Sequence, residues 1–439
     1  MSVRQSLSNL FTPTRRKGVT LAATFLTLAA SSPAGNGLAG AEMDTSLACA
    51  TEEVALDGKA YQRWVDLLDI PTDLTQEDFF QRANPLVRRT FDLEVMAARV
   101  YGSDWGPLHP HRKGRMIEAL GRHVAKEVRA SLATATGEPR VVETVRAGDG
   151  RVEVRYATTT GQQDERMSLQ LEPNAQGECR IVNITAHDRW LLKSTRDWVD
   201  DLRDDYSFEY MVAELGDYGF VNLEDFEATP EGDLPLGWEW KSKDNERNKP
   251  YRVKAEAGNH YLEATDEGES VIMGRNVEWD LNEYPYISFR VRVWEIPPGA
   301  DESDDSAVDS AAGLYFTYKK KLFGKIPESA KYVWSSTLPV GTAVRREGIG
   351  RPWQIVFGSG TEGLGEWRTY VFDLRQAYRD TFDGDPPSKP LGIGVLSDAN
   401  SMKAKAYADY DDIRALRSAP EGVTSGVFEI LQPKSKTEG

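Results

Sequence analysis

From residue 84 the apolar positions recur at helical spacing. In "NPLVRRTFDLEVMAARVYG", Leu86, Leu93, Met96, Ala97 and Val100 fall on one stripe. Asn84 and Pro85 stand before it as an N-cap and a first-turn proline. After "SDWGPLHPH" a second helix is predicted across "RKGRMIEALGRHVAKEVRASL", where Met116, Leu120, Val124, Val128 and Leu132 recur every four residues. The period then changes to two. "RVVETV", "GRVEVRYAT", "ERMSLQLEP" and "ECRIVNIT" alternate apolar and polar residues between the turn signals "AGDG", "TTGQQ" and "NAQG". They predict four antiparallel strands, with Val152, Val154 and Tyr156 on one face of the second. Helical spacing returns in "RWLLKSTRDWVDDLRDD" and "FEYMVAEL". The layout predicts an α+β domain over 50–218, with helices packed on a four-stranded antiparallel sheet.

Beyond Gly219 the helical stripes nearly vanish. A dozen strand-length runs follow, from "NLEDFE" through "YISFRVRVW" and "AKYVWSS" to "AYADYDDIRAL", separated by Gly, Pro and Asp turns. Short strands at this spacing predict an all-β sandwich of jelly-roll type over 219–418, interrupted by one helix in "DLRQAYRDTF". Residues 419–439 read as a polar tail.

Charge and cysteine content narrow the function classes. A formal charge of −16 over 439 residues lacks the basic surface that nucleic-acid binding needs. Residues 1–41 read as a signal peptide: Arg15, Arg16 and Lys17 precede the short apolar run "GVTLAATFLTLAA", and Ala39-Gly40-Ala41 follows as a cleavage site. Periplasmic export is therefore expected. Cys49 and Cys179 are the chain's two cysteines. They are either two thiols or a disulfide, which would close a loop of roughly 130 residues and stabilise by up to about 5 kcal/mol.

"FDLEVMAARVYGSDWGPL", the long helix behind it, the strand meander and the closing "FEYMVAELGDYGF" together resemble the MlaC-type (toluene-tolerance) periplasmic phospholipid-binding proteins. The resemblance implies a cavity between helices and sheet that holds acyl chains. Met96, Val100, Trp105, Met116, Leu120, Val124 and Tyr156 are the lining it implies here. Read from the residues alone, the stripe from Met116 to Leu132 is a plain core, and only the resemblance raises a lipid cavity beside it.

In the second domain, "LPLGWEW", "YPYISFRVRVWEIPPGADESDD", "FGSGTEGLGEWRTYVFDL" and "GIGVLSDANS" resemble an exported β-sandwich family of unknown function. More loosely, "EDFE" and "DYDDI" resemble the first and last strands of carbohydrate-binding jelly rolls, which pair and often share a structural calcium. On that likeness Asp225, Glu227, Asp411 and Asp412 become candidate ligands of a hard, oxygen-seeking cation. Their alternative role is a solvated strand edge, and the same question covers Asp398 and Asp409. Trp238, Trp240, Trp294, Trp334, Trp353 and Trp367 are either core or platforms for sugar rings. The acidic "ADESDDSAVDS" reads as a solvated loop, and "YKKKLFGKIPESAK" as a basic hairpin tip facing water or lipid headgroups.

No H-E-x-x-H, G-x-S-x-G, P-loop or Cys-based zinc spacing occurs, so a non-enzymatic protein with no required cofactor is expected. The expectation is an exported carrier of phospholipid or another acyl lipid, serving envelope lipid transport. Its sandwich would dock a membrane transport complex or bind a glycan. The alternative is a glycan-binding or envelope-scaffold protein with no lipid cavity.

Overall fold

The computed structural model describes residues 66–67, 70–71, 73–133, 140–146, 152–160, 163–186, 189–240, 250–321, 326–420 and 429–431. Residues 1–65, where the signal peptide is expected and Cys49 lies, and most of the 419–439 tail fall outside the described residues. Two compact units result: residues 1–204 with 215–217, and residues 205–214 with 218–439.

The first unit opens with helices α1 (Gln76–Thr90) and α2 (Leu93–Tyr101). The single helix expected to start at Asn84 is thus two, and Pro85 lies inside the first. The true caps are Thr75, whose hydroxyl accepts from Asp78 N at 3.1 Å, and Asp92, which accepts from Val95 N at 3.0 Å. Asn84 instead holds Arg88 Nε at 3.0 Å. Burial of Phe79, Phe80, Ala83 and Val87 outweighs the backbone bond that Pro85 forfeits. The break falls where Asp92 N bonds Ile181 O at 3.0 Å, tying the helix junction to the sheet. Gly102 ends α2 at φ +77°, a conformation that costs glycine nothing. Helix α3 (Pro110–Ala133) follows as predicted.

Strands β1 (Arg140–Arg146), β2 (Val152–Thr160), β3 (Gln163–Pro173) and β4 (Cys179–Ala186) form the antiparallel meander in chain order. A two-residue β5 (Arg189–Trp190) extends it by one strand. At the β3–β4 turn the Asn174 side chain accepts from Gln176 N and Glu178 N at 3.0 and 2.9 Å, as "NAQG" implied. Cys179 is disulfide-bonded. Helix α4 (Leu191–Asp205) completes this part.

The second unit begins with helix α5 (Phe208–Leu215) and continues as two sheets. One has eight strands in the order β19 (Glu429–Leu431), β14 (Thr342–Val344), β15 (Trp353–Ser359), β13 (Ile326–Ser335), β12 (Ala312–Lys321), β17 (Gly392–Val395), β10 (Met273–Asn276) and β7 (Glu239–Trp240). The other has six: β16 (Arg368–Asp373), β11 (Tyr286–Glu295), β18 (Ala406–Leu416), β9 (Asn259–Asp266) and β8 (Tyr251–Glu256), with β6 (Phe220–Glu224) also pairing β18. Pairings are antiparallel except β13 with β15 and β14 with β19.

Aromatic side chains close the space between the sheets. Tyr332 stacks on Phe372 at 3.9 Å, Phe289 meets Phe357 edge-on at 5.0 Å, and Phe357 meets Tyr370 at 4.8 Å. These rings alternate with outward residues along β11, β13, β15 and β16, which is the sandwich pattern. Helix α6 (Leu374–Thr381) is capped by Asp373, whose side chain accepts from Gln376 N at 2.8 Å.

The acidic loop at 300–310 is not simply solvated. Glu302, Asp309 and Ser310 are fully buried. Glu302 accepts from Ser335 Oγ at 2.6 Å and Ser310 Oγ at 3.0 Å, while Asp309 takes Ser401 N and Met402 N at 3.1 and 2.7 Å. Its carboxylates serve as acceptors that pin neighbouring loops. The tip of the basic hairpin, 322–325, lies outside the described residues; on its strands Lys331 is buried and donates to Ser310 Oγ at 3.3 Å, and Lys319 pairs with Glu328 at 3.1 Å. Burial pushes the Lys331 ammonium below, and the Glu302 carboxyl above, their ordinary ranges.

Candidate functional site

Helix α3 carries the candidate lipid face. Met116, Leu120 and Val124 are fully buried along it, as are Met96 and Val100 on α2. The two helices pack closely, and a Cβ on Gly121 would stand 3.1 Å from Leu93 Cδ1. Leu169, Leu171, Ile181 and Val182 supply buried apolar residues from β3 and β4. Five of the seven expected lining residues thus belong to one apolar interior.

The other two stand apart. Trp105 is half-buried, edge-on to Tyr101 at 6.3 Å, with Lys113 Nζ 5.6 Å from its ring. Tyr156 lies on β2 in register with Val141 and Met167, and its side chain falls outside the described set.

Polar groups border the stripe. His123 is buried and meets Thr195 Oγ1 of α4 at 3.2 Å, with the Trp198 ring 5.8 Å away. Burial pushes its imidazole down to about 4, and nearby Lys126 adds to the effect. On another side of α3, a cleft lined by Phe79, Phe80, Ala125, Arg122 and Arg129 holds about 40 Å³. That is close to one water molecule's share of space, against roughly 300–1,000 Å³ for pockets that enclose drug-sized ligands. The cations there are engaged: Arg122 Nε donates to Gly216 O at 2.9 Å, and Lys126 pairs with Asp217 at 2.5 Å. An acyl chain does not fit this cleft.

In the sandwich, the structure pairs β6 with β18 as the two-strand likeness implied, but it does not converge the four carboxylates. Asp411 is buried, and its Oδ2 accepts from Asn259 Nδ2 at 2.9 Å and Arg290 Nη1 at 3.1 Å. Asp412, at φ +49°, lies 3.4 Å from the same guanidinium and takes Arg414 Nη2 at 2.6 Å. Asp225 accepts from Asn222 Nδ2, and Glu227 from His260 N at 2.9 Å. Arg290 therefore stands beside Asp411 and Asp412 where a cation was expected. Among the described residues no group of three or more His, Cys, Asp or Glu is placed to hold a metal ion. Burial pushes the Asp411 carboxyl up to about 6.

Sequence reasoning missed two clusters. One joins Glu302, Ser310, Lys331 and Ser335 beneath the acidic loop. The other joins Arg292, Trp294 and Asp409 on the six-stranded sheet. Period-two alternation across 286–294 and 406–416 was the signal for the second, since it sends these residues to one face.

The family model described as MlaC protein matches residues 62–217. This region is of MlaC type. A second model, described as a protein of unknown function (DUF3047), matches residues 237–414. The MlaC match takes in the stripe of α2 and α3, and it also runs across α5, which clusters with the sandwich. No curated protein matches the chain.

Among solved structures, the phospholipid-binding protein from Ralstonia solanacearum in complex with a phospholipid is similar at 15% identity and TM-score 0.31, covering 39% of this chain and 95% of that one. The module CBM27-1 of Caldicellulosiruptor saccharolyticus in complex with mannohexaose is similar at 13% identity and TM-score 0.23, covering 46% and 98%. Overlays this loose carry no weight for function. No helix among the described residues is long and apolar enough to cross a membrane.

Proposed function

We propose that the chain is an exported, non-enzymatic carrier that holds phospholipid or another acyl lipid in its MlaC-type domain and serves envelope lipid transport from the periplasm. The sandwich is its docking or ligand-binding module. The observation that carries this reading is the MlaC match over 62–217, laid on the apolar interior of α2, α3 and the sheet. A two-chain lipid hides roughly 30 methylenes at ~0.8 kcal/mol each, so only a deep apolar interior can hold one outside a bilayer. Helices α2 and α3 would have to part from the sheet, or from one another, to admit acyl chains.

Native mass spectrometry of the full chain purified from the periplasm tests this reading. Phospholipid should leave with the protein in near-stoichiometric amount. A lipid-free protein that also fails to extract lipid from vesicles would leave the envelope-scaffold alternative standing.

A further inference from the structure

The outward side of the six-stranded sheet carries a layer of side chains that lipid carriage leaves unexplained. Alternation along β11 sends Phe289, Val291 and Val293 into the sandwich and Arg290, Arg292 and Trp294 outward. On β18 it sends Ala408 and Tyr410 inward and Tyr407, Asp409 and Asp411 outward. The outward groups stack on one another. The Arg292 guanidinium lies 4.6 Å from the ring centroids of both Trp294 and Trp367, and Trp294 stacks on Tyr407 at 5.8 Å.

Asp409 lies beneath this layer. Fully buried on what would otherwise be a solvent face, it accepts from Arg292 Nε and Trp294 Nε1, each at 2.8 Å. Its other oxygen has no hydrogen-bond partner. A buried carboxylate with an orphan oxygen costs stability, and a sheet face needs no such device to stay folded. The device locks an indole and a guanidinium in fixed orientations, so that a ligand would find them already ordered. Trp294 nevertheless keeps 41% of its surface exposed.

Charge selects the ligand class. Arg252, Lys254, Arg290 and Arg292 share this face with Glu256, Glu263, Asp409 and Asp411, so the signs balance. A surface for an anionic polymer would carry a surplus of cations. Apolar ring surface beside paired planar charges fits a ligand with a C–H face and many hydroxyls. We propose that this face binds a neutral glycan, with Trp294 and Tyr407 against the sugar rings and Glu256 and Glu263 taking hydroxyls. The proposal uses the sandwich as a ligand-binding module and makes no use of the lipid reading.

Native affinity electrophoresis of the full chain tests it, in gels containing dextran, laminarin, arabinoxylan or galactomannan, one at a time. A polygalacturonate gel and flotation with phosphatidylglycerol vesicles complete the set. Retardation is expected in at least one neutral gel and in neither other arm. Trp294→Ala and Tyr407→Ala should weaken it at least tenfold. Glu256→Gln, at a side chain 55% exposed and therefore safe for folding, should weaken it several-fold. The proposal is overturned by no retardation in any neutral gel, or by binding confined to polygalacturonate or vesicles. Retention that survives Glu256→Gln and every ring variant that folds overturns it too. Bound lipid is read on the same sample: lipid without retardation sinks only the glycan site, and retardation without lipid sinks only the carrier reading.

Discussion

Arg275 Nη2 lies 2.8 Å from Glu209 Oε1, which binds helix α5 to strand β10. Its Nη1 lies 2.6 Å from Glu224 Oε2, so one buried guanidinium answers two buried carboxylates. Tyr284 adds its hydroxyl to Glu214 at 2.7 Å, and Ser207 Oγ reaches Glu278 O at 2.7 Å. These bonds make α5 part of the sandwich, although the MlaC match runs across it.

A sandwich fragment beginning at residue 205 should therefore melt well above one beginning at 219. In the full chain, Glu209→Ala should destabilise the sandwich by roughly 3 kcal/mol, the low end for breaking a buried pair, because Glu224 remains. Calorimetry of both fragments and of the variant checks this. Equal melting temperatures for the two fragments would show that α5 contributes nothing there.

Leu120→Trp and Val124→Trp place an indole in the apolar interior of the first unit. Overpacking alone should destabilise by about 1–3 kcal/mol. If that interior holds lipid, the indole also displaces it, and native mass spectra should show lipid occupancy falling severalfold in protein that still folds. Unchanged occupancy in both variants would place the lipid elsewhere.

His123 gives the first unit an acid-sensitive step. Its folded pKa, pushed down to about 4 chiefly by burial, lies below the ordinary 6.5 of the unfolded chain. The unfolded state therefore binds the proton first as pH falls, and stability is lost between pH 6.5 and 4. Complete passage through that window costs up to about 3 kcal/mol. His123→Gln should flatten the acid limb of the first unit's melting temperature plotted against pH. An identical limb would assign the loss to other groups.

Asp266 acts in the opposite sense. Burial first, and the Asp398 charge second, push its carboxyl up to about 7 from the ordinary 3.8, despite bonds from Glu269 N at 3.0 Å and Ala399 N at 2.8 Å. The folded state holds this proton where the unfolded state has released it, so stability falls as pH rises from about 4 to about 7. Asp266→Asn should reduce the sandwich's loss of melting temperature between pH 4.5 and 7.5. A slope equal to that of the unmodified chain would refute the assignment.

Local periodicity made the fold readable. Met116, Leu120 and Val124 announce α3 because each repeat falls on the same face, and Asp373 announces α6 by standing where a cap must. Asn84-Pro85 misled for the same reason: its signal is local, whereas the burial of Phe79, Phe80 and Val87 set where α1 begins. The clusters were less legible. Arg292 and Asp409 stand 117 positions apart and meet only through the β11–β18 register, which composition does not encode. Glu302 and Ser335 meet only because the acidic loop folds back over β13. The apolar face of α3 was legible as a stripe, but a stripe reads the same whether it faces protein or lipid.

Strand β19 gives the end of the chain a protective task. By pairing in parallel with β14, from Thr342 opposite Glu429 to Val344 opposite Leu431, it covers a border whose amides and carbonyls would otherwise invite another chain. Val340, two residues before β14, is 63% exposed and adds apolar surface close to that border. Clipping the final residues by proteolysis should therefore leave the sandwich folded yet prone to self-association, which makes this segment a poor place to trim for crystallisation.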